Sequence, residues 1–133
     1  NAEEEAHFCR QTLDRAGVLL ELPVFFDMED ADRYKINRGF SFDADMITAM
    51  CRAFLENIAL NSGVYASESW FNDYIDWKSL GCPVWNASWY SRENPVPQYG
   101  DGTDGIMGFM WQFTDKLLIG DKYFDGNVIY EAD

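Results

Sequence analysis

The sequence contains few of the residues that metal and redox sites require. It has three cysteines and one histidine, and no two cysteines stand in a C-x-x-C spacing. Zinc binding and dithiol chemistry depend on such clusters, so both are disfavoured. A disulfide framework is not expected from so few cysteines, although a single bridge stays open. The one histidine, His7, lies in a predicted helix, and we assign it a surface or helix-packing role.

Positive charge is also scarce. Ten lysines and arginines accompany 23 aspartates and glutamates, which gives a net charge of −13 at pH 7. Such a field repels nucleic acids and anionic membrane surfaces and is compatible with a neutral polymer as the ligand. No apolar run approaches the roughly 18 residues of a membrane span. Glu3, Glu4 and Glu5 stand where a signal peptide would carry basic residues, so we expect no signal peptide in this chain.

Apolar and aromatic side chains are abundant, at 47% and 17% of the 133 residues. This composition supports a packed core and argues against disorder, which is typical of chains with few aromatic residues. The length suits one domain, and no internal repeat or low-complexity linker divides the chain. We therefore predict a single domain over residues 1–133.

Hydrophobic periodicity predicts helices and strands in alternation, followed by strands alone. Alternating units predict a parallel sheet with helices outside it. A complete (β/α)₈ barrel needs at least about 200 residues, so we expect an α/β fold that is a partial TIM-like barrel with helix-free closing strands. The predicted elements are helices at 3–16, 43–60 and 68–80, extended segments at 18–28, 64–66, 83–88, 106–113, 116–119 and 123–130, and loops at 30–42 and 91–105.

The most informative pattern is a pair of acids at the end of an apolar strand. Asp27 and Glu29 close the run that starts at Leu22, and side chains two residues apart leave the same face of a strand. Burying an unpaired acid costs free energy, so two acids in this position indicate a function. A pair of carboxylates in a cleft is what glycoside hydrolysis requires. The alternative is that both acids are solvated at the strand end or bind cations.

Polar and aromatic side chains recur at the ends of the later predicted strands. They are Tyr65, Trp85, Trp111 with Gln112, and Asp125. In a parallel α/β barrel the carboxyl ends of the strands face the active site. Aromatic rings there would stack on sugar rings, and acids and amides would bind hydroxyl groups. For any single ring an ordinary core position is the simpler interpretation, so the argument depends on their recurrence beside the acid pair.

Five segments recur at the predicted strands, in the order Leu22–Asp30, Gly63–Phe71, Pro83–Ala87, Met110–Phe113 and Phe124–Asn127. Taken in order, they resemble the motifs of glycoside hydrolase family 25, the lysozyme-type muramidases. No single motif is specific, but five in order with sensible spacing are strong evidence, and they extend over essentially the whole chain. The family domain opens with a strand carrying Gly-x-Asp-x-Ser, which residues 1–21 lack. The resemblance therefore implies the C-terminal two-thirds of the domain, without its first barrel strands.

This resemblance implies an enzyme that cleaves the β-1,4 bond between N-acetylmuramic acid and N-acetylglucosamine in peptidoglycan. Glu29 matches the general acid and base, and a neighbouring anion would keep it protonated near neutral pH. Asp27 would supply that anion and matches the residue that orients the substrate acetamido group. The positions that would line the substrate-binding subsites are Tyr65, Trp85, Trp111, Gln112 and Asp125.

The expected partners are peptidoglycan glycan strands, with no cofactor, metal, nucleic acid or membrane insertion. We expect a monomer when the full domain is present, either secreted, associated with the cell wall or acting as a phage endolysin. Two other classes of function stay open. One is a non-catalytic glycan-binding remnant of the same fold. The other is a metal-dependent hydrolase with Asp27, Glu29 and Asp125 as oxygen ligands, although the histidines common in such sites are absent from the predicted strand ends.

Overall fold

Helices and strands alternate along the chain, as the sequence predicts. The structure, a computed structural model, describes residues 1–89 and 108–130. Its helices are α1 (Ala2–Ala16), α2 (Tyr34–Asn37), α3 (Ala44–Asn57), α4 (Glu68–Asp73) and α5 (Trp77–Leu80), and a 3₁₀ turn at Ala31–Arg33 precedes α2. Its strands are β1 (Val24–Asp27), β2 (Ser62–Ser67), β3 (Val84–Ala87), β4 (Met110–Ile119) and β5 (Lys122–Ile129).

The five strands form one sheet whose order follows the chain. The strands from β1 to β4 run parallel, and β5 returns antiparallel to β4. The sheet is a curled half-barrel, with α3 between β1 and β2 in sequence and with α4 and α5 between β2 and β3. The predicted α/β class, a partial TIM-like barrel with helix-free closing strands, is therefore confirmed.

The helices pack on one face of the sheet. Alternate residues of a strand point to opposite faces, so one set from each of β1, β2 and β3 meets the helices. Phe26 of β1 stacks on Phe54 of α3, with ring centroids 4.4 Å apart. Burying a side chain of this size stabilises the fold by about 1.5–3 kcal/mol. The core includes Phe26, Met28, Val64, Ala66 and Val84 from the sheet side and Ala6, Ile47, Cys51, Phe54, Ile58, Phe71 and Ile75 from the helical side.

Gly63 determines how closely the first three strands approach one another. A Cβ atom at this position would lie 2.1 Å from the main-chain oxygen of Pro83 and 2.9 Å from a ring carbon of Phe25. The next residue, Val64, donates its N–H to the same Pro83 oxygen at 3.0 Å. A larger residue at position 63 would push β2 away from β3 and displace the side chains further along both strands.

The first strand is shorter than predicted. The prediction gave an extended segment at 18–28, but β1 begins at Val24, which pairs with Ser62. Residues 18–22 form no strand, and the side chain of Leu19 is 96% exposed. Apolar character alone does not make a strand, because strand preference reflects packing against neighbouring strands.

The predicted loop at 30–42 contains the short helix α2. The Asp30 carboxylate accepts hydrogen bonds from the main-chain N–H groups of Lys35 at 2.6 Å and Ile36 at 3.3 Å. These bonds satisfy N–H groups at the start of the helix, which have no partner within it. One carboxylate therefore organises a segment whose polar composition predicts a loop.

The predicted helix at 68–80 is divided into α4 and α5. The break occurs where Thr48 of α3 accepts a hydrogen bond on its hydroxyl from the N–H of Asp76 at 3.0 Å. The Asp76 side chain then caps α5 by accepting from the N–H of Ser79 at 3.2 Å. A contact from a distant helix thus ends one helix and starts the next, which local periodicity does not encode.

The predicted strands at 106–113 and 116–119 belong to one long strand, β4, in the described part of the chain. Its pairing with β5 shifts register between Gln112 and Leu117, so the strand is irregular there but continuous. Residues 106–107 and the predicted loop at 91–105 lie outside the described residues.

Replacing Phe54 by alanine tests the helix-covered core. Phe54 is 3% exposed and stacks on Phe26, so Phe54→Ala should lower the free energy of unfolding by about 3–5 kcal/mol. Phe8→Ala is the control, because Phe8 is 70% exposed and its loss should change stability by about 0.5 kcal/mol or less. Urea unfolding followed by circular dichroism measures both. Equal losses in the two variants would contradict the assigned core.

Candidate active site

The first four strands bring several predicted residues to the sheet face opposite the helices. Asp27 of β1 is in register with Tyr65 of β2, and Tyr65 is in register with Trp85 of β3. Gln112 of β4 is in register with Ala87, two residues after Trp85, so it shares that face. The sequence prediction placed these four residues together, and the strand register does the same.

Hydrogen bonds and ring contacts join these side chains. The Tyr65 hydroxyl donates to Gln112 Oε1 at 3.0 Å, and the indole N–H of Trp89 donates to the same oxygen at 3.1 Å. The rings of Tyr65 and Trp85 meet edge to face, with centroids 4.8 Å apart. Trp85 donates its indole N–H to Asn127 Oδ1 at 2.9 Å. We call these five residues the aromatic strip; the contacts hold its rings and amides in fixed orientations.

The acid pair lies at the end of β1 beside this strip. Asp27 and Glu29 line an open cavity of about 450 Å³, together with residues of the 30–35 segment. A hydrogen bond joins the two carboxyl groups, so they lie on the same side of the chain end. Both residues are exposed, and a ligand in the cavity would therefore reach them.

The environment raises the pKa of Asp27 above its ordinary value. Asp27 is exposed as a whole residue, but its carboxyl group is partly shielded, and this burial is the largest cause. The charge of Glu29 and the hydrogen bond to it raise the pKa further, as does Glu5 of α1, whereas Lys35 lowers it. The sequence predicts a proton on Glu29, favoured by the neighbouring acid, and this stays a prediction.

Tyr65 connects the acid pair electrostatically to the last strand. Burial, together with the charges of Glu29, Asp27 and Asp125, raises the pKa of Tyr65 to about 12. Tyr65 therefore stays a neutral hydrogen-bond donor at neutral pH. Asp125 lies on β5 two residues before Asn127, so it shares the face of the strip and adds a third acid near the Tyr65 hydroxyl.

Trp111 does not lie on this face. It is in register with Asn86, one residue out of phase with Trp85, and it is 2% exposed. Its indole N–H donates to the main-chain oxygen of Ser88 at 2.9 Å, and its ring meets Phe113 edge to face. Adjacent residues of a strand point in opposite directions, so Trp111 and Gln112 cannot both reach the strip. The structure places Trp111 in an ordinary core position.

Several residues of the site were not predicted from the sequence. Asn127 and Phe25 each stand two residues from a predicted site acid, so strand alternation was a usable signal for both. Phe25 meets Trp85 edge to face with centroids 5.4 Å apart. Trp89 follows β3 and continues the alternation of Trp85. Lys35 carried no comparable signal, because it reaches the cavity through a turn whose shape depends on the Asp30 hydrogen bonds.

Metal-site geometry is absent from the described residues. Within 1–89 and 108–130, no three histidine, cysteine or acidic side chains are grouped so that they could hold a metal ion. All three cysteines are free thiols, and Cys51 is fully buried in the core. In the same part of the chain, no helix is both long enough and apolar enough to cross a membrane.

Solved structures share this fold over nearly the whole chain. The CTP1L endolysin matches 98% of this chain with a TM-score of 0.68 and 25% sequence identity. The modular autolysin LytC from Streptococcus pneumoniae, in complex with a synthetic peptidoglycan ligand, matches 97% with a TM-score of 0.73 and 16% identity. The catalytic domain of the endolysin ply40 from bacteriophage P40 of Listeria monocytogenes matches 97% with a TM-score of 0.59 and 14% identity.

These matches cover only part of each neighbour. The chain spans 42% of the CTP1L endolysin chain, 30% of the LytC chain and 60% of the ply40 chain. No family model matches the chain, and no curated protein matches it significantly. The comparisons therefore establish a fold shared with endolysins and an autolysin.

Replacing Asp27 by asparagine tests the raised pKa. An acid whose pKa is raised on folding is destabilising above that pKa, because its charged form is less favourable in the folded state. Asp27→Asn should therefore raise the melting temperature at pH 7, and this gain should disappear as the pH falls below the ordinary value of 3.8. Thermal unfolding at pH 3 and pH 7 measures the difference.

Asp121→Asn is the matched control. It removes one negative charge from the exposed turn between β4 and β5, at the far end of β4 from Gln112. It should not reproduce the gain at pH 7. A melting temperature that is unchanged or lower in Asp27→Asn at pH 7 would show that the folded state does not disfavour the charged form of Asp27.

Proposed function

We propose that the chain is part of a peptidoglycan hydrolase that cleaves the β-1,4 bond between N-acetylmuramic acid and N-acetylglucosamine. The observation that carries this proposal is the acid pair in an open cavity beside the aromatic strip, on a fold shared with LytC. Two carboxyl groups at a cleft supply a general acid and base and a second acid that assists the substrate acetamido group, a recognised form of glycoside hydrolysis. The proposed place of action is the cell wall, reached by a secreted protein or a phage endolysin.

Glu29 is the proposed general acid and base. It stands beyond the end of β1 and is exposed to the cavity, so it would reach a glycosidic oxygen bound there. As an acid it would protonate the leaving oxygen while the acetamido oxygen of the substrate attacks the anomeric carbon. As a base it would then take a proton from the water that opens the cyclic intermediate. Substrate assistance of this kind is a recognised variant of the two-carboxylate scheme.

The raised pKa of Asp27 fits a proton that moves when substrate binds. Burial and the charge of Glu29 favour the neutral form of Asp27 in the free site. A substrate acetamido N–H donated to Asp27 would favour its charged form. The proton that Asp27 releases would then pass to the neighbouring Glu29, the proposed acid that protonates the leaving oxygen.

The aromatic strip is the proposed sugar-binding wall. The partly buried rings of Tyr65 and Trp85 present apolar surface, and neutral Tyr65 keeps a hydroxyl for hydrogen bonding. Asn127 and Asp125 of β5 are exposed on the same face and would bind sugar hydroxyl groups. Aromatic surface combined with amide and acid groups suits a neutral glycan.

Glu29→Gln tests the proposed acid and base. Removing a general acid and base lowers the rate by about 10²- to 10⁴-fold, so release of new reducing ends from peptidoglycan should fall by at least that factor. Binding to insoluble peptidoglycan should persist, because the aromatic strip is unchanged. The assay compares this chain and any longer product of its reading frame, and Glu56→Gln on the exposed side of α3 is the control with unchanged release. Cleavage by Glu29→Gln at the parent rate would refute the role of Glu29.

Trp85→Ala tests the sugar-binding wall. An aromatic contact contributes about 0.5–1.5 kcal/mol, so affinity for soluble glycan fragments should fall about two- to tenfold. Trp77→Ala is the control, because Trp77 belongs to α5 and packs beside the helix-covered core. Isothermal titration calorimetry measures both affinities. Equal affinity in the parent and Trp85→Ala would place the glycan elsewhere.

A non-catalytic glycan-binding protein is the second candidate function. It is favoured by the aromatic strip, whose rings and amide groups suit a glycan independently of the acid pair. It predicts that the chain binds peptidoglycan but releases no reducing ends, even as part of the longest product of its reading frame. Cleavage that is lost on adding a chelator would instead favour a metal-dependent hydrolase.

A further inference from the structure

We propose that Lys35 is a positioning residue of the acid pair, because it holds the main chain at Glu29 and presents its ammonium charge to Asp27. Lys35 lines the same cavity as both acids, and its Nζ donates a hydrogen bond to the main-chain oxygen of Glu29. The catalytic consequence of this role rests on the proposed function, whereas the charge arrangement is a property of the chain itself.

The turn after β1 holds Lys35 in place. The Asp30 carboxylate accepts from the N–H of Lys35 at 2.6 Å and from that of Ile36 at 3.3 Å. Between them, Asp32 and Arg33 adopt left-handed backbone conformations, with φ of 55° and 56°. These conformations cost free energy for residues other than glycine, and the Asp30 hydrogen bonds offset that cost. The turn thereby places Lys35 beside the acid pair at the end of β1.

The charges around Asp27 are otherwise negative. Glu29 from the end of β1 and Glu5 from α1 both raise the pKa of Asp27, whereas Lys35 lowers it. Tyr65 of β2 lies in the field of the same acids and of Asp125 from β5. Among the charged groups that the structure places around Asp27, Lys35 is thus the cation opposed to the acids. Removing it would leave Asp27 facing only the negative charges of Glu29 and Glu5 among the groups that shift its pKa.

Lys35 therefore has two separable contributions. Its hydrogen bond fixes the main-chain carbonyl of Glu29. It therefore restricts the position of Glu29, the proposed general acid and base. Its charge keeps Asp27 ionised down to a lower pH than the surrounding acids alone would allow. An ionised Asp27 is the form that would accept the substrate acetamido N–H.

Three substitutions separate the hydrogen bond from the charge. Lys35→Met removes both, Lys35→Gln keeps a donor without a charge, and Lys35→Arg keeps the charge. In chain labelled with ¹³C, the Asp27 carboxyl resonance is followed across pH and assigned by its loss in Asp27→Asn. The titration midpoint should move to higher pH in the Met and Gln variants and stay close to the parent in the Arg variant.

Lys78→Met is the matched control. Lys78 lies on α5, where its Nζ is 5.5 Å from the centroid of the Trp77 ring, and its loss changes the net charge by the same amount. It should leave the Asp27 midpoint in place. An unchanged midpoint in both Lys35→Met and Lys35→Gln would overturn the proposal, and so would an equal shift in Lys78→Met. The Gln variant keeps the test decisive if the Met variant fails to fold.

The pH dependence of cleavage provides the second readout. In a protein that releases reducing ends, the acid limb of kcat/KM should move to higher pH in Lys35→Gln and return towards the parent in Lys35→Arg. A purely structural role would lower the rate at every pH without moving the limb. Failure of the proposed function and failure of the Lys35 proposal give different results. Absence of cleavage with a shifted Asp27 midpoint would count against the proposed function, whereas cleavage without that shift would count against Lys35.

Discussion

The register of the parallel strands is the constraint on which both the core and the site depend. Because residues in register point the same way, Asp27, Tyr65 and Trp85 share one face, while the residues between them share the other. A slip of one residue in β2 would move Tyr65 among the helices and expose Val64. The apolar pattern of the helix-covered face therefore fixes the site face as well. Packing energy and site geometry come from the same alternation.

Holding a charged Asp27 beside Glu29 at the end of β1 costs electrostatic free energy in the folded state. Partial burial and the neighbouring acids raise the pKa of Asp27, so its charged form opposes folding at neutral pH. Within residues 1–89 and 108–130, no buried cation pairs with the carboxyl groups to remove this cost. Lys35 instead reaches the pair from an adjacent turn and remains only half-buried. The arrangement keeps both carboxyl groups accessible, which a fully paired and buried ion cluster would not do.

Much of the fold could be predicted because its signals are local. Alternation of helix and strand patterns predicts the parallel order, and the lack of a helical pattern towards the C-terminus predicts helix-free closing strands, although not the antiparallel direction of β5. Boundaries were less predictable where a distant residue decides them. Thr48 of α3 ends α4 by binding Asp76, and the absence of a pairing partner leaves residues 18–22 out of β1. Such contacts bring together residues that are far apart in the sequence, so no local pattern contains them.

The site residues also differ in whether a local pattern or a distant contact determines their position. Asp27, Tyr65, Trp85 and Gln112 could be placed together because strand ends in a parallel sheet meet at one edge. Trp111 could not be placed from its aromatic character, because its direction depends on whether it is in phase with Trp85. The effect of the charges on the pKa of a site residue was less predictable than the direction of a side chain. Two neighbouring acids predict a raised pKa, but the pKa of Asp27 also depends on the burial of its carboxyl group and on Lys35, whose position is set by the folded turn. Alternation within one strand is therefore readable from the sequence, whereas the phase between strands and the effect of neighbouring charges depend on the folded structure.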